Sequence, residues 1–191
     1  MGPFWIPPQQ PPAPTFDPRV VEFLFATTRK AKTDASPINF SGERSPTLTL
    51  GVASIRIPED HKIGRIEVPF KWSVLGLTII EGNIKENKHF TIRQVATLTA
   101  EQWGSIIKAK SSKKAVIFVH GFNTSFQEAL FRNAQIIWDL QYPGLSVLFS
   151  WASAGEGADY FYDQASANLA RATFVKVLDL PPKKWTGLSC F

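Results

Sequence analysis

The run Ala115-Val116-Ile117-Phe118-Val119 contains no polar residue and delivers the chain straight into His120-Gly121-Phe122-Asn123. A strand with apolar side chains on both faces must be covered on both sides, which is the condition of a central strand in a parallel sheet. Parallel neighbours need crossover connections, usually helical. The downstream sequence supplies them. Phe126, Leu130, Ala134, Ile137 and Trp138 recur at helical spacing to about Asp139, Tyr142-Pro143-Gly144 stops that helix, and Leu145 to Trp151 forms a second buried strand. A second long helix is predicted beyond it, with Phe161, Ala165, Leu169, Ala172, Val175 and Leu178 as its buried stripe. Strand, helix, strand and helix in this order predict right-handed parallel crossovers.

The preceding half reads differently. Val20 to Ala26 is a β-rich run ending in the polar Thr27-Thr28-Arg29-Lys30, and residues 31 to 46 read as a loop. Leu48 to Val52 and Ser54 to Ile57 alternate with period two until Pro58, and Arg65-Ile66-Glu67-Val68 repeats the pattern. Another short strand is predicted from Phe90 to Leu98. Thr99-Ala100-Glu101-Gln102 fits a capping box that opens a short helix to about Lys108, and Thr124-Ser125-Phe126-Gln127 offers a second. Residues 1 to 18 hold seven of the 14 prolines, so an extended or disordered arm is expected there. Pro181-Pro182 breaks any ladder, and residues 181 to 191 are expected to form a tail outside the fold. Residues 19 to 180 therefore read as one domain, β-rich over 19 to 110 and βαβα over 111 to 180.

Composition narrows the function classes. With 191 residues, 44% of them hydrophobic, the chain can bury one core, and it has no apolar run of about 18 residues to span a bilayer. The net charge of +5 is spread out; its densest cluster, Lys108, Lys110, Lys113 and Lys114, reads as a solvated loop before the buried strand, and no nucleic-acid binding is expected. The lone Cys190 allows no intrachain disulfide and no thiol pair for a metal. His61 and His89 read as exposed residues in polar turns that match no metal motif, so no metal and no organic cofactor is expected. The N-terminus lacks the charged and apolar regions of a signal peptide, and a cytoplasmic location follows as the expectation.

The chemistry is concentrated at the end of the apolar strand. Gly121 is expected to let the backbone turn sharply, leaving the Phe122 N–H aimed above the sheet, where it can donate to a developing oxyanion. His120, Gly121, Phe122 and Asn123 are accordingly the candidate oxyanion loop, the alternative being an ordinary strand-to-helix turn with a cap at Asn123 or Thr124. His120 is assigned a supporting role in that loop. No Gly-x-Ser-x-Gly occurs in the sequence. Ser125 and Ser153 are the candidate nucleophiles, but the first suits a helix cap and the second suits bonding to local backbone. Asp163 is expected to offset a helix dipole. No catalytic residue is assigned.

Val116 to Ala129, together with Leu148-Phe149-Ser150-Trp151, resembles the DUF900 family of α/β-hydrolase-like proteins, described as esterase- or lipase-like. Phe25-Ala26-Thr27-Thr28-Arg29 and the stretch Val52 to Pro69 resemble that family's upstream region, so the resemblance extends over about residues 20 to 180. It implies an α/β class: an incomplete α/β-hydrolase fold with a mixed sheet. It also implies a serine esterase acting on a small ester or similar acyl substrate, with nucleophile, acid and His absent from this sequence. The expected function is therefore that of a truncated hydrolase, inactive alone. The alternative is a non-catalytic protein-interaction module on a hydrolase-like scaffold, with self-association or a partner protein engaging an open sheet edge.

Overall fold

A computed structural model describes residues 17–32, 37–68, 71–74, 77–80, 84–110, 114–154, 160–180 and 189–190. The arm at 1–16 and the tail segment 181–188 lie outside the described residues. In chain order the elements are β1 (Val20–Lys32), β2 (Asn39–Arg56), β3 (Lys71–Val74), β4 (Leu77–Ile80), β5 (Thr91–Leu98), α1 (Ala100–Ala109), β6 (Ala115–Val119), α2 (Phe126–Asp139), β7 (Leu145–Ser150), α3 (Tyr160–Leu178) and β8 (Ser189–Cys190).

Six strands form one sheet in the order β5-β2-β1-β7-β6-β8, and β3 and β4 pair separately. The pairs β5–β2 and β2–β1 are antiparallel, whereas β1–β7, β7–β6 and β6–β8 are parallel. This mixed sheet with flanking helices is a partial α/β-hydrolase-like topology. Alternation along each central strand divides the core in two. Phe23, Phe25, Val116 and Leu148 pack with Phe126, Leu130 and Ala134 of α2 on one face. Leu24, Ala26, Ile117, Val147 and Phe149 pack with Trp103 and Ile107 of α1 and Ala170 and Val177 of α3 on the other. Burial on both faces is why strands β6 and β7 carry no polar alternation. Gly51 faces Phe25 across the β1–β2 ladder, and a Cβ there would stand 2.2 Å from the phenyl Cζ, so the ring needs that glycine.

Four local readings are corrected. Residues 39–46 are strand, because β1 and β2 form a long ribbon in which Ser45 to Leu48 stand against Thr28 alone; Pro46 falls in that bulge, where no ladder bond is lost. Residues 65–68 are not a strand despite their alternation. The α2 capping box is Ser125 with Glu128, one residue later than Thr124 with Gln127. The tail is not wholly outside the fold, since Ser189 and Cys190 pair with Val116 and Ile117 at the edge of the sheet.

Helix α3 differs most. Its buried residues are Asp163, Ser166, Ala170 and Val177, with Phe174 packed beside them, whereas Phe161 is 79% and Leu169 64% exposed. The predicted stripe from Phe161 to Val175 faces solvent, only Leu178 of it packing against the core, because Asp163 is anchored by hydrogen bonds beneath the β6–α2 loop, and this rotation puts the small Ser166 and Ala170 against the sheet. Leu169→Lys should therefore change the unfolding free energy by no more than about 0.5 kcal/mol. Ala170→Leu should lower it by about 1–3 kcal/mol through overpacking. Urea denaturation of the two variants checks the orientation; equal losses would mean that the apolar stripe faces the core after all.

Candidate active-site loop

The β6–α2 loop is held from below by a buried arginine. Thr27 donates to the Ser150 carbonyl at 2.7 Å, and the irregular pairing just beyond Thr27 turns the Arg29 side chain inward. Arg29 is 1% exposed. Its Nε donates to Ser150 Oγ at 2.9 Å, its Nη1 to the carbonyls of Ser41 and Ser153, and its Nη2 to the Thr124 carbonyl and to His120 Nε2. All five guanidinium N–H groups are thus used, each on an uncharged acceptor. Burial lowers the Arg29 pKa to about 10, and the nearby Asp163 charge works against that loss.

Arg29 also fixes the state of His120. A guanidinium can only donate, so Nε2 is the acceptor at 3.3 Å and the proton sits on Nδ1, which donates to the Gly121 carbonyl at 2.8 Å. Ser150 Oγ accepts from Arg29 and gives its own proton to the same Nε2 at 3.2 Å. The ring stacks on Trp151 with centroids 5.0 Å apart, and Trp151 Nε1 donates to the His120 carbonyl. Burial and then the Arg29 charge push the His120 pKa down to about 4, so the imidazole is neutral and its basic nitrogen is already occupied.

The loop's far side rests on Asp163. Its Oδ2 accepts from the Asn123 N–H at 2.8 Å and from Ser153 Oγ at 2.6 Å, and its Oδ1 accepts from the Ala154 N–H at 2.8 Å. Burial opposes ionisation here, but the three donors and the Arg29 charge outweigh it and hold the carboxyl below its ordinary value. Asn123 takes the left-handed backbone at φ 53°, a conformation that Asn tolerates, whereas Gly121 does not. The expectation that Gly121 makes the turn is therefore corrected. A Cβ at Gly121 would meet no atom within 4 Å, and the residue lines a cavity of about 430 Å³ together with His120, Asn123, Phe118, Phe131, Ile66 and Val68.

Of the predicted loop residues, His120, Gly121 and Asn123 share that cavity. The Phe122 ring turns away, stacking on Tyr160 at 5.4 Å and meeting Trp151 edge-on. Among the described residues the Phe122 N–H meets no protein acceptor. Ser153 Oγ accepts from the Thr124 N–H and donates to Asp163, and Ser125 Oγ is committed to Glu128 in the capping box. Both candidate nucleophiles thus have their hydroxyls engaged. The sequence reading missed Arg29 as the organising residue and reduced Asp163 to a dipole partner; the signal available was an arginine three residues beyond the apolar run Phe23 to Ala26.

Residues 96–184, just under half of the chain, match a family described as "Alpha/beta hydrolase of unknown function (DUF900)". The match covers the βαβα half and the loop, and begins downstream of the Phe25-to-Arg29 segment. No curated protein matches the chain, and no solved structure does. Among the described residues no helix is long and apolar enough to cross a membrane.

Arg29→Lys should destabilise the fold by about 3 kcal/mol or more, since an ammonium has three donors for five acceptors and stays buried. His120 carries a folded-state pKa below its ordinary 6.5, so the unfolded chain binds the extra proton first. Stability should fall by about 3 kcal/mol as the pH drops from about 6.5 towards 4. Urea midpoints measured against pH check this; His120→Asn should flatten that limb.

Proposed function

We propose that this chain supplies the oxyanion half of a serine acyl hydrolase of the esterase or lipase kind. In this reading a small ester or similar acyl substrate lies in the cavity beside Gly121, with its carbonyl oxygen receiving the Phe122 N–H. The observation that carries the reading is a rigidly held loop whose Phe122 N–H meets no acceptor among the described residues, adjoining a cavity walled by Ile66, Val68, Phe118 and Phe131 and also by Glu128 and Arg132. Such a donor lowers an acyl-transfer barrier by about 2.7–4 kcal/mol in known hydrolases. The match over residues 96–184 supports the same class.

The position of β8 adds to it. In an α/β-hydrolase the nucleophile sits at the end of a strand, with its own following N–H completing the oxyanion hole. Strand β8 runs parallel to β6 with Cys190 opposite Ile117, and His120 lies three residues further on, just past the end of β6. A strand in this slot runs towards the loop. The reading of residues 19–180 as one unit is supported by Arg29, which comes from the β-rich part and locks the loop of the βαβα part.

Among the described residues the hydroxyls of both candidate nucleophiles, Ser125 and Ser153, are engaged, and we propose that the chain does not turn over esters by itself. A fluorophosphonate probe should leave the folded protein unlabelled; labelling that disappears in Ser153→Ala or Ser125→Ala would contradict this. The exposed Phe161, Leu169 and Val175 of α3 favour a second reading, a non-catalytic module that associates through that face. Under it, light scattering finds an oligomer that Leu169→Lys dissociates; under the first reading, that substitution leaves the oligomeric state unchanged.

A further inference from the structure

The cavity's outer wall is fastened by a histidine remote from the loop. His61, expected to be an exposed turn residue, has a side chain only 3% exposed. Its Nδ1 lies 2.7 Å from Glu67 Oε2 and its Nε2 lies 2.7 Å from Asp139 Oδ1 at the C-terminal end of α2. Carboxylate oxygens only accept, so the geometry demands a proton on both ring nitrogens, and a neutral imidazole has one.

Neither carboxylate is free to turn aside. Glu67 Oε1 accepts from the Lys62 N–H at 2.9 Å; Asp139 Oδ2 accepts from the Gly64 N–H at 2.8 Å and from the Gln135 side-chain amide. Loss of one imidazole proton therefore leaves a nitrogen lone pair against a fixed oxyanion. The charged groups facing His61 are Glu67 from its own segment and Asp139 from α2, while the segment before β5 presents the neutral ring of Phe90, edge-on at 5.4 Å. The His61 segment carries Ile66 and Val68, which line the cavity together with Gly121 and Asn123.

We propose that His61 is a pH-dependent latch: carrying both imidazole protons, it pins residues 58–68 to the end of α2 and positions Ile66 and Val68 as the wall of the cavity. Burial works against the charge, but the two carboxylates outweigh it and raise the His61 pKa above 6.5, while Glu67 and Asp139 are themselves held below their ordinary values. For a folded-state pKa raised in this way, the latch's contribution is complete below the unfolded value of about 6.5 and is lost as the pH rises through the folded one. The wall is thus fastened most firmly below about pH 6.5 and loosens as the pH rises through the raised His61 pKa. Its bearing on acyl binding rests on the reading given above; the latch itself does not.

The test is a pH titration of the full chain by NMR, following the His61 ring proton together with the methyl groups of Ile66, Val68 and, as a core reference, Val116. The expected result is one midpoint above 6.5 shared by His61, Ile66 and Val68 but not by Val116. In Asp139→Asn the shared midpoint moves down, and in His61→Gln the Ile66 and Val68 methyls stop titrating. A His61 midpoint at or below 6.5, or methyls that do not follow the ring in the wild-type protein, overturns the latch without reference to any variant. Octanoate serves as the acyl probe: its affinity should weaken about threefold once only a third of the molecules keep the wall fastened. Coupled methyls with no octanoate binding at any pH would uphold the latch and overturn the acyl reading.

Discussion

The guanidinium of Arg29 is the interaction on which the rest of the site depends. A charge in a dry interior costs several kcal/mol unless every donor is satisfied, and here five N–H groups find five uncharged acceptors drawn from β2, the β6–α2 loop and the end of β7. Because the acceptors come from three separate stretches of chain, the arginine ties the antiparallel part of the sheet to the parallel part. Because one acceptor is an imidazole nitrogen, it also dictates where the His120 proton sits. The Gly121 carbonyl is then turned towards the His120 ring, and the Phe122 N–H that follows it is left without an acceptor among the described residues.

The two buried histidines show how one side chain serves opposite ends. His120 faces a cation and neutral groups, so burial keeps it neutral and its nitrogen is spent as an acceptor. His61 faces two carboxylates, and the same residue type is held charged. Below pH about 6.5 the first loses ground to the unfolded state, and above that value the second does, so the two linkages together favour a stability maximum near the ordinary histidine pKa. The loop and the opposite wall of the cavity are in this way fixed by different electrostatic means.

Much of the framework was legible in the residues. The apolar runs Ala115–Val119 and Leu145–Ser150 announced strands buried on both faces, and the Thr99–Gln102 capping box placed the start of α1. What escaped was every feature decided by a tertiary polar contact. The stripe of α3 was read from its larger apolar residues, yet three hydrogen bonds to Asp163 outweigh their pull and turn Phe161 and Leu169 outward. Arg29 read only as part of a polar strand end and His61 as an exposed turn residue, because their partners lie far along the chain, at Ser150, Ser153 and Asp139. Local pattern reports what a segment prefers; it carries no trace of a partner about 80 or 120 residues distant.

The hold of Arg29 on the loop is read most directly in the protonation state of His120. Two-dimensional nitrogen–proton NMR of the imidazole, recorded from pH 7 down to pH 4.5, distinguishes the two neutral tautomers and the cation. The structure calls for a proton on Nδ1 and a bare Nε2 from pH 7 to about pH 5, with the second proton entering only as the pH approaches 4. A proton on Nε2 at pH 7, or a doubly protonated ring by pH 6, would mean that Arg29 does not bond this nitrogen and that the loop is held in some other way.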